Sequence, residues 1–185
     1  MGHSKMNIVC YTGGTCGDMI SAILDPIGTR FRHTAVMIDH ADRSRLKKPH
    51  LFQSDQEKDQ YLIEIEKKYQ SIPSHDLDYH VRKKHNFIGI TVQDKAVALW
   101  AAKRFKQLHR AHVWEEMVAV CGANTVEGYA QMMIDFSNLI MQHTDRVVSL
   151  ESIRAGTALD NPILKTASKN FYHNWMDLQN GTSII

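Results

Sequence analysis

The feature that most limits the possible folds lies near the start of the chain. The apolar run Asn7-Ile8-Val9-Cys10-Tyr11 meets Gly13, Gly14 and Gly17 in quick succession, and a second apolar run starts at Met19. The first run is short and holds β-branched residues, which fits a buried strand. The glycines let the backbone turn sharply. The second run has the spacing of a helix and stops at Asp25-Pro26, because proline restricts the residue before it. Strand, tight turn and helix in this order begin a βαβ unit, and that commits the chain to an α/β layout.

The rest of the pattern agrees. Further strands are expected at 34–38, within 71–80, at 86–92 and at 145–153, the last ending in a turn at Gly156. Helices are expected at 17–25, 54–70, 94–112, 125–142 and 161–178. In the 54–70 segment Leu62, Ile65 and Tyr69 share a face, and Ser54 with Glu57 forms a capping box. In the 94–112 segment Val97, Trp100, Ala101, Phe105 and Leu108 share a face. Segment 39–50 is polar and basic and reads as a loop. There is no repeat, linker or low-complexity tract. The expected architecture is α/β, a P-loop-type, mostly parallel sheet flanked by helices, in a single domain over 1–185.

Composition narrows the function classes. With 22 basic and 20 acidic residues the formal charge is +2, so the chain does not coat nucleic acid through charge alone. No apolar run approaches the roughly 20 residues of a membrane span. The three cysteines, Cys10, Cys16 and Cys121, form no C-x-x-C pair, so a structural zinc site is not expected and a reducing, cytoplasmic location is. The N-terminal residues lack a signal-peptide core.

The glycine loop has the layout of an anion cradle. A helix N-terminus offers free N–H groups and the positive end of its dipole. Gly13, Gly14 and Gly17 allow close approach, and Thr15 adds a hydroxyl donor. The spacing is not G-x-x-x-x-G-K-[ST]. No Lys or Arg lies between Met6 and Arg30, so a cation must come from elsewhere. A tight turn without a ligand is the rival reading of the same residues.

"TGGTCGDMI" also resembles the loop after the first strand of sulfotransferases, in its G-G-T form, with Thr12 at the place of the usual lysine. "SIPSHDLDYH" and "NFIGITVQDKAVALWAAKRF" are similar to later segments of the cytosolic members, and "RVVSLESIRAG" to a late strand. The resemblance is to the sulfotransferase-like P-loop superfamily, to a small divergent member of the kind tailed phages also encode. It implies 3′-phosphoadenosine 5′-phosphosulfate as donor and a hydroxyl as acceptor. It places His75 as catalytic base and residues 12–17 (Thr12, Gly13, Gly14, Thr15, Cys16 and Gly17) around the donor. It puts the grip on the 3′-phosphate at 93–99, yet the family's arginine and serine there are replaced, near Val92-Gln93 and by Leu99.

Transfer of such a group needs a base, donors for the charged group, and in-line attack. His75, with an ordinary pKa near 6.5, suits the first role, and Asp76 or Asp78 is placed to orient it. Asp18 opens the helix; in a kinase it would hold Mg²⁺ or act as base. The replacement cation is expected to be Arg104, whose planar guanidinium grips two oxygens. Lys95, Lys103, Arg154 and Mg²⁺ are the other choices.

Duller roles stand beside these. Cys16 reads as a small buried filler, Trp100 and Phe105 as core, and Lys47-Lys48 and Arg82-Lys83-Lys84 as solvated surface. His109 and His112 share a helix face but lack an evident third metal ligand. The rival functions are a P-loop kinase using ATP with Mg²⁺ on a nucleotide, nucleoside or hydroxymethylated DNA base, and a non-catalytic P-loop relic that binds a partner. The acceptor and the oligomeric state are not legible.

Overall fold

The computed structural model describes residues 6–25, 45–108 and 111–165. Within them four strands form one sheet: β1 (Asn7–Cys10), β2 (Ser71–Ser74), β3 (Phe87–Thr91) and β4 (Val147–Ser149). Every pairing is parallel, in the order β2-β1-β3-β4. In register, Ile8 stands beside Ile72 and Phe87, Val9 beside Ile88, and Ile90 beside Val148. Strands buried on both faces read as continuous apolar runs, which is why "NIVC" and "FIGIT" were legible.

Helix α1 (Gly17–Ile23) follows β1 directly. Its Ile20 and Ile23 pack with Val9, Ile88, Ile90 and Val148 in one core cluster. The buried Ser21 hydroxyl meets Ser71 on β2 at 3.0 Å, which ties the helix to the sheet edge. The opposite side of the sheet, with Ile8, Cys10, Ile72 and Phe87, is covered by α2 (Asp55–Ile65) through Tyr61, Leu62 and Ile65. Ser54 caps α2 by accepting from the Glu57 N–H at 3.2 Å, as the capping box requires. Glu57 reaches back one residue further than expected, to the Gln53 N–H.

After β2 comes α3 (Leu77–Arg82), a helix that was not foreseen, since only a strand was expected within 71–80. Asp76 caps it through the Tyr79 N–H. Asp55 pairs with Arg82 and Asp59 with Lys83, bonds that tie α3 to α2. Two of the three residues in that basic run are therefore paired surface. The long helix expected over 94–112 is α4 (Lys95–Leu108), and α5 (Ala111–Cys121) was not foreseen. Helix α6 (Val126–His143) is capped by Thr125 and packs on α4 and β3. The late strand is shorter than expected, because the chain turns into α7 (Leu150–Arg154) at the Ser149 cap. Helix α8 (Pro162–Lys165) begins the expected C-terminal helix. The expected strand at 34–38 and the end of the C-terminal helix lie outside the described residues.

This order puts one place in the sheet apart from the others. From β1 the chain goes to β2 on one side, then returns to β3 on the other. The connections leaving the carboxyl ends of β1 and β3 therefore diverge. In open parallel sheets that crevice is where ligands sit, and the loop at 12–17 lies at its edge, as the sequence led one to expect.

Candidate functional site

The loop is a tight turn. Thr15 donates twice to the Thr12 carbonyl, from its N–H at 3.3 Å and from its hydroxyl at 2.8 Å. The hydroxyl that the sequence offered to an anion thus closes the turn instead. Gly14 has φ 91°, a conformation that a side chain would strain. Cys16 sits at φ 63° in the left-handed region without glycine's freedom, at the cap position of α1, and makes no side-chain cap. The first N–H groups of α1 therefore lack the usual capping partner. Burial, with the Asp18 charge second, pushes the Cys16 thiol up to about 12, so it is a protonated filler and no nucleophile.

Aromatic rings hold the loop from both sides. Tyr129 of α6 donates its hydroxyl to the Gly13 carbonyl at 3.1 Å. Phe105 of α4 stacks on Tyr129, with centroids 5.6 Å apart and planes 5° from parallel. Phe105 is core, as expected, and it also roofs Gly13 and Gly14. On the other flank, Tyr11 lies flat against Gly17: a Cβ there would fall 2.0 Å from the Tyr11 Cγ.

The far side of Tyr11 meets His75. The two rings stand edge to face with centroids 4.6 Å apart. The His75 N–H donates to the Leu46 carbonyl at 3.1 Å, which fixes the turn after β2. The His75 ring bonds to the Lys47 backbone, and its Nε2 is shut off from solvent without a partner among the described residues. Burial drives the ring down to about 4; the Asp18 charge opposes this and the Lys47 charge adds to it. At neutral pH the imidazole is neutral, and with the ring donating to the backbone, Nε2 carries the lone pair. Asp76, one of two carboxylates offered as its orienting group, is engaged elsewhere, by Lys58 at 2.5 Å and by the α3 cap.

Asp18 is held at the start of α1 by a residue that the sequence left as solvated surface. The Lys47 ammonium lies 3.1 and 3.2 Å from its two carboxylate oxygens. Nothing in the spacing signals this, since 29 residues separate the partners. Arg104 precedes Phe105 on α4 and is half-buried, but among the described residues no hydrogen bond or ion pair places its head group. Arg154 stacks over the Trp100 ring at 4.8 Å instead. No family model matches this chain, nor does any curated protein or solved structure.

The segment at 93–99, expected to grip a nucleotide 3′-phosphate, is already in use. The Gln93 and Asp94 N–H groups both donate to the Glu151 carboxylate, at 2.6 and 2.8 Å. Asp94 itself accepts from the Ala96 and Val97 N–H groups at the start of α4. Two carboxylates thus occupy the donors that a phosphate would need. Among the described residues no group of three His, Cys, Asp or Glu side chains is arranged to hold a metal ion, and no helix is long and apolar enough to cross a membrane.

A pH dependence follows from the buried imidazoles. His80 is fully buried between the Ser74 hydroxyl (2.8 Å from Nε2) and the His85 ring (3.0 Å from Nδ1). Burial, then the His85 and Lys58 charges, lowers it to about 3, as burial lowers His75 to about 4. Below the ordinary value near 6.5 the unfolded chain binds protons that the folded chain refuses. Stability is therefore full above that pH and falls as the pH drops toward 4. The slope is about 1.4 kcal/mol per pH unit for each histidine. Urea midpoints at pH 7, 6 and 5 should fall in step, and His80→Gln should flatten the fall. Equal midpoints at pH 7 and 5 would refute this.

Proposed function

We propose that this chain is a nucleotide-dependent group transferase, sulfotransferase-like, that moves an activated sulfuryl group onto an acceptor hydroxyl. The observation that carries this reading is His75, set against Tyr11 at the edge of the glycine loop with an unengaged, neutral Nε2. Nε2 is covered in the free protein, so the acceptor must displace that cover as it enters; Nε2 then takes the hydroxyl proton as the acceptor oxygen bonds to sulfur. The bond from sulfur to the nucleotide's bridging oxygen breaks, and its electron pair leaves on the phosphate. Negative charge arriving at the loop favours the imidazolium that forms, so the base strengthens when the donor is bound. Electrostatics prefers sulfuryl here. That group carries one negative charge where a terminal phosphoryl carries two, and the loop has no cation of its own.

A second reading, a kinase using ATP with Mg²⁺, is favoured by one observation. Glu151 and Asp94 fill the donors at 93–97, so a donor without a 3′-phosphate meets less conflict there. Thermal unfolding separates the readings. At 100 times its dissociation constant a ligand adds about 2.7 kcal/mol, a midpoint rise on the order of 5–10 °C for a chain of this size. Adenosine 3′,5′-bisphosphate should give that rise. A rise with ATP and Mg²⁺ alone makes the chain a kinase, and no rise with either leaves the non-catalytic relic.

A further inference from the structure

We propose that the exposed face of α4 binds single-stranded nucleic acid, with its lysines on the phosphates and the stacked pair of Trp100 and Arg154 as a platform for a base. This binding is independent of the transferase reading. Helix α4 carries Lys95, Lys103, Arg104 and Lys106 and no acidic residue. The formal charge of the whole chain is only +2, so the remainder of the protein is net negative. A near-neutral total thus conceals one strongly basic helix. The buried side of α4 holds Ala98, Ala101, Ala102 and Phe105. Lys95, Lys103 and Lys106 are exposed, and their spacing puts them on one face. At about 1.5 Å per residue they run along roughly 17 Å of helix, long enough to follow the backbone of one strand.

The contrast with the rest of the surface gives this face its meaning. Around α2 and α3 cations are matched by carboxylates: Arg45 by Glu57, Lys58 by Asp76 and Lys83 by Asp59. Among the described residues no carboxylate pairs with a cation of α4. Asp94 and Glu151, at the start of the helix, accept from backbone N–H groups instead. Lys103 and Lys106, one turn apart, repel each other, and a phosphate between them relieves that. Lys106 lies over the Trp114 ring at 5.5 Å, which keeps its head group at the helix surface. Trp100 is only half-buried, and the exposed Arg154 of α7 covers its ring at 4.8 Å. A guanidinium on an indole presents a flat cationic surface that suits an unpaired base. Bases in a duplex are already stacked on one another, and a membrane offers phosphates without bases. The pairing of ring and charge therefore favours a single strand.

The test titrates the full chain into a labelled thymidine strand of about 20 nucleotides and follows fluorescence anisotropy at several salt concentrations. A variant combining Lys95→Gln, Lys103→Gln and Lys106→Gln should bind about tenfold or more weakly. Its slope of log affinity against log salt should fall by about 2, since each phosphate contact on a single strand contributes about 0.7. A control combining Lys48→Gln, Lys67→Gln and Lys84→Gln removes the same charge from exposed sites elsewhere and should change affinity less than about twofold. Trp100→Ala should weaken binding about tenfold with the salt slope unchanged, and Trp100→Phe, which keeps a ring and fills the site, should retain most of the affinity. No binding by the unaltered chain, or equal weakening by the two triple variants, would overturn the inference. So would binding of a duplex of the same length, or of phosphatidylserine vesicles, at least as tight as that of the strand.

Discussion

Gly17→Ala should destabilise the protein by about 3 kcal/mol, near the upper range for forcing atoms into a packed site. The added Cβ would lie 2.0, 2.2 and 2.4 Å from the Cγ, Cδ1 and Cδ2 atoms of Tyr11, where no side-chain carbon fits. Tyr11 has little room to retreat, because its ring is edge-on to His75 at 4.6 Å and is itself buried. The strain therefore passes either into the start of α1 or into the turn after β2. Urea unfolding should show a lower midpoint with an unchanged slope. A second measurement locates the cause. In a Tyr11→Ala background the same alanine should cost less than about 1 kcal/mol, since the ring it strikes is gone. An equal cost in both backgrounds would show that the glycine is needed for its backbone and not for the approach of the ring.

His75→Asn should lower transfer by a factor on the order of 10²–10⁴ while nucleotide binding changes little. Asparagine keeps a polar group near the Lys47 backbone but has no lone-pair nitrogen at the place of Nε2. The rate of nucleotide release from the sulfuryl donor, followed across a panel of phenols and alcohols, is the measurement. An asparagine variant that transfers at the normal rate removes His75 from the chemistry. A variant that fails to bind nucleotide makes it a structural residue. The pH profile adds a further check. The free protein holds this imidazole neutral down to about pH 4, so acid should weaken the fold before it silences the base.

The parts of the site differ in how far local sequence reveals them. The loop was visible because its glycines follow a buried strand and precede a helical run, a pattern carried by adjacent residues. His75 was visible only as a histidine after a short strand. Its place beside the loop depends on β2 pairing with β1, with Cys10 opposite Ser74. Tyr11 gave no local sign of its role, because the reason for it lies in the missing Cβ of Gly17. Lys47 and Glu151 were hidden for a similar reason: each binds a partner brought near by the fold, 29 and 58 residues away in the chain.

By itself the sequence determined the class of fold: alternating apolar runs and helical faces, punctuated by glycine, proline and capping residues, leave a parallel sheet covered by helices. It determined the capped start of α2 for the same reason, since Ser54 acts on the Glu57 N–H three residues on. What the tertiary structure decided is charge and access. It assigned Asp18 to Lys47, closed the 93–97 donors with carboxylates, and set the neutral His75 ring against Tyr11. Those outcomes depend on strand order and on which long side chains meet across it. Periodicity within a segment specifies which face is buried, but it does not specify what that face meets.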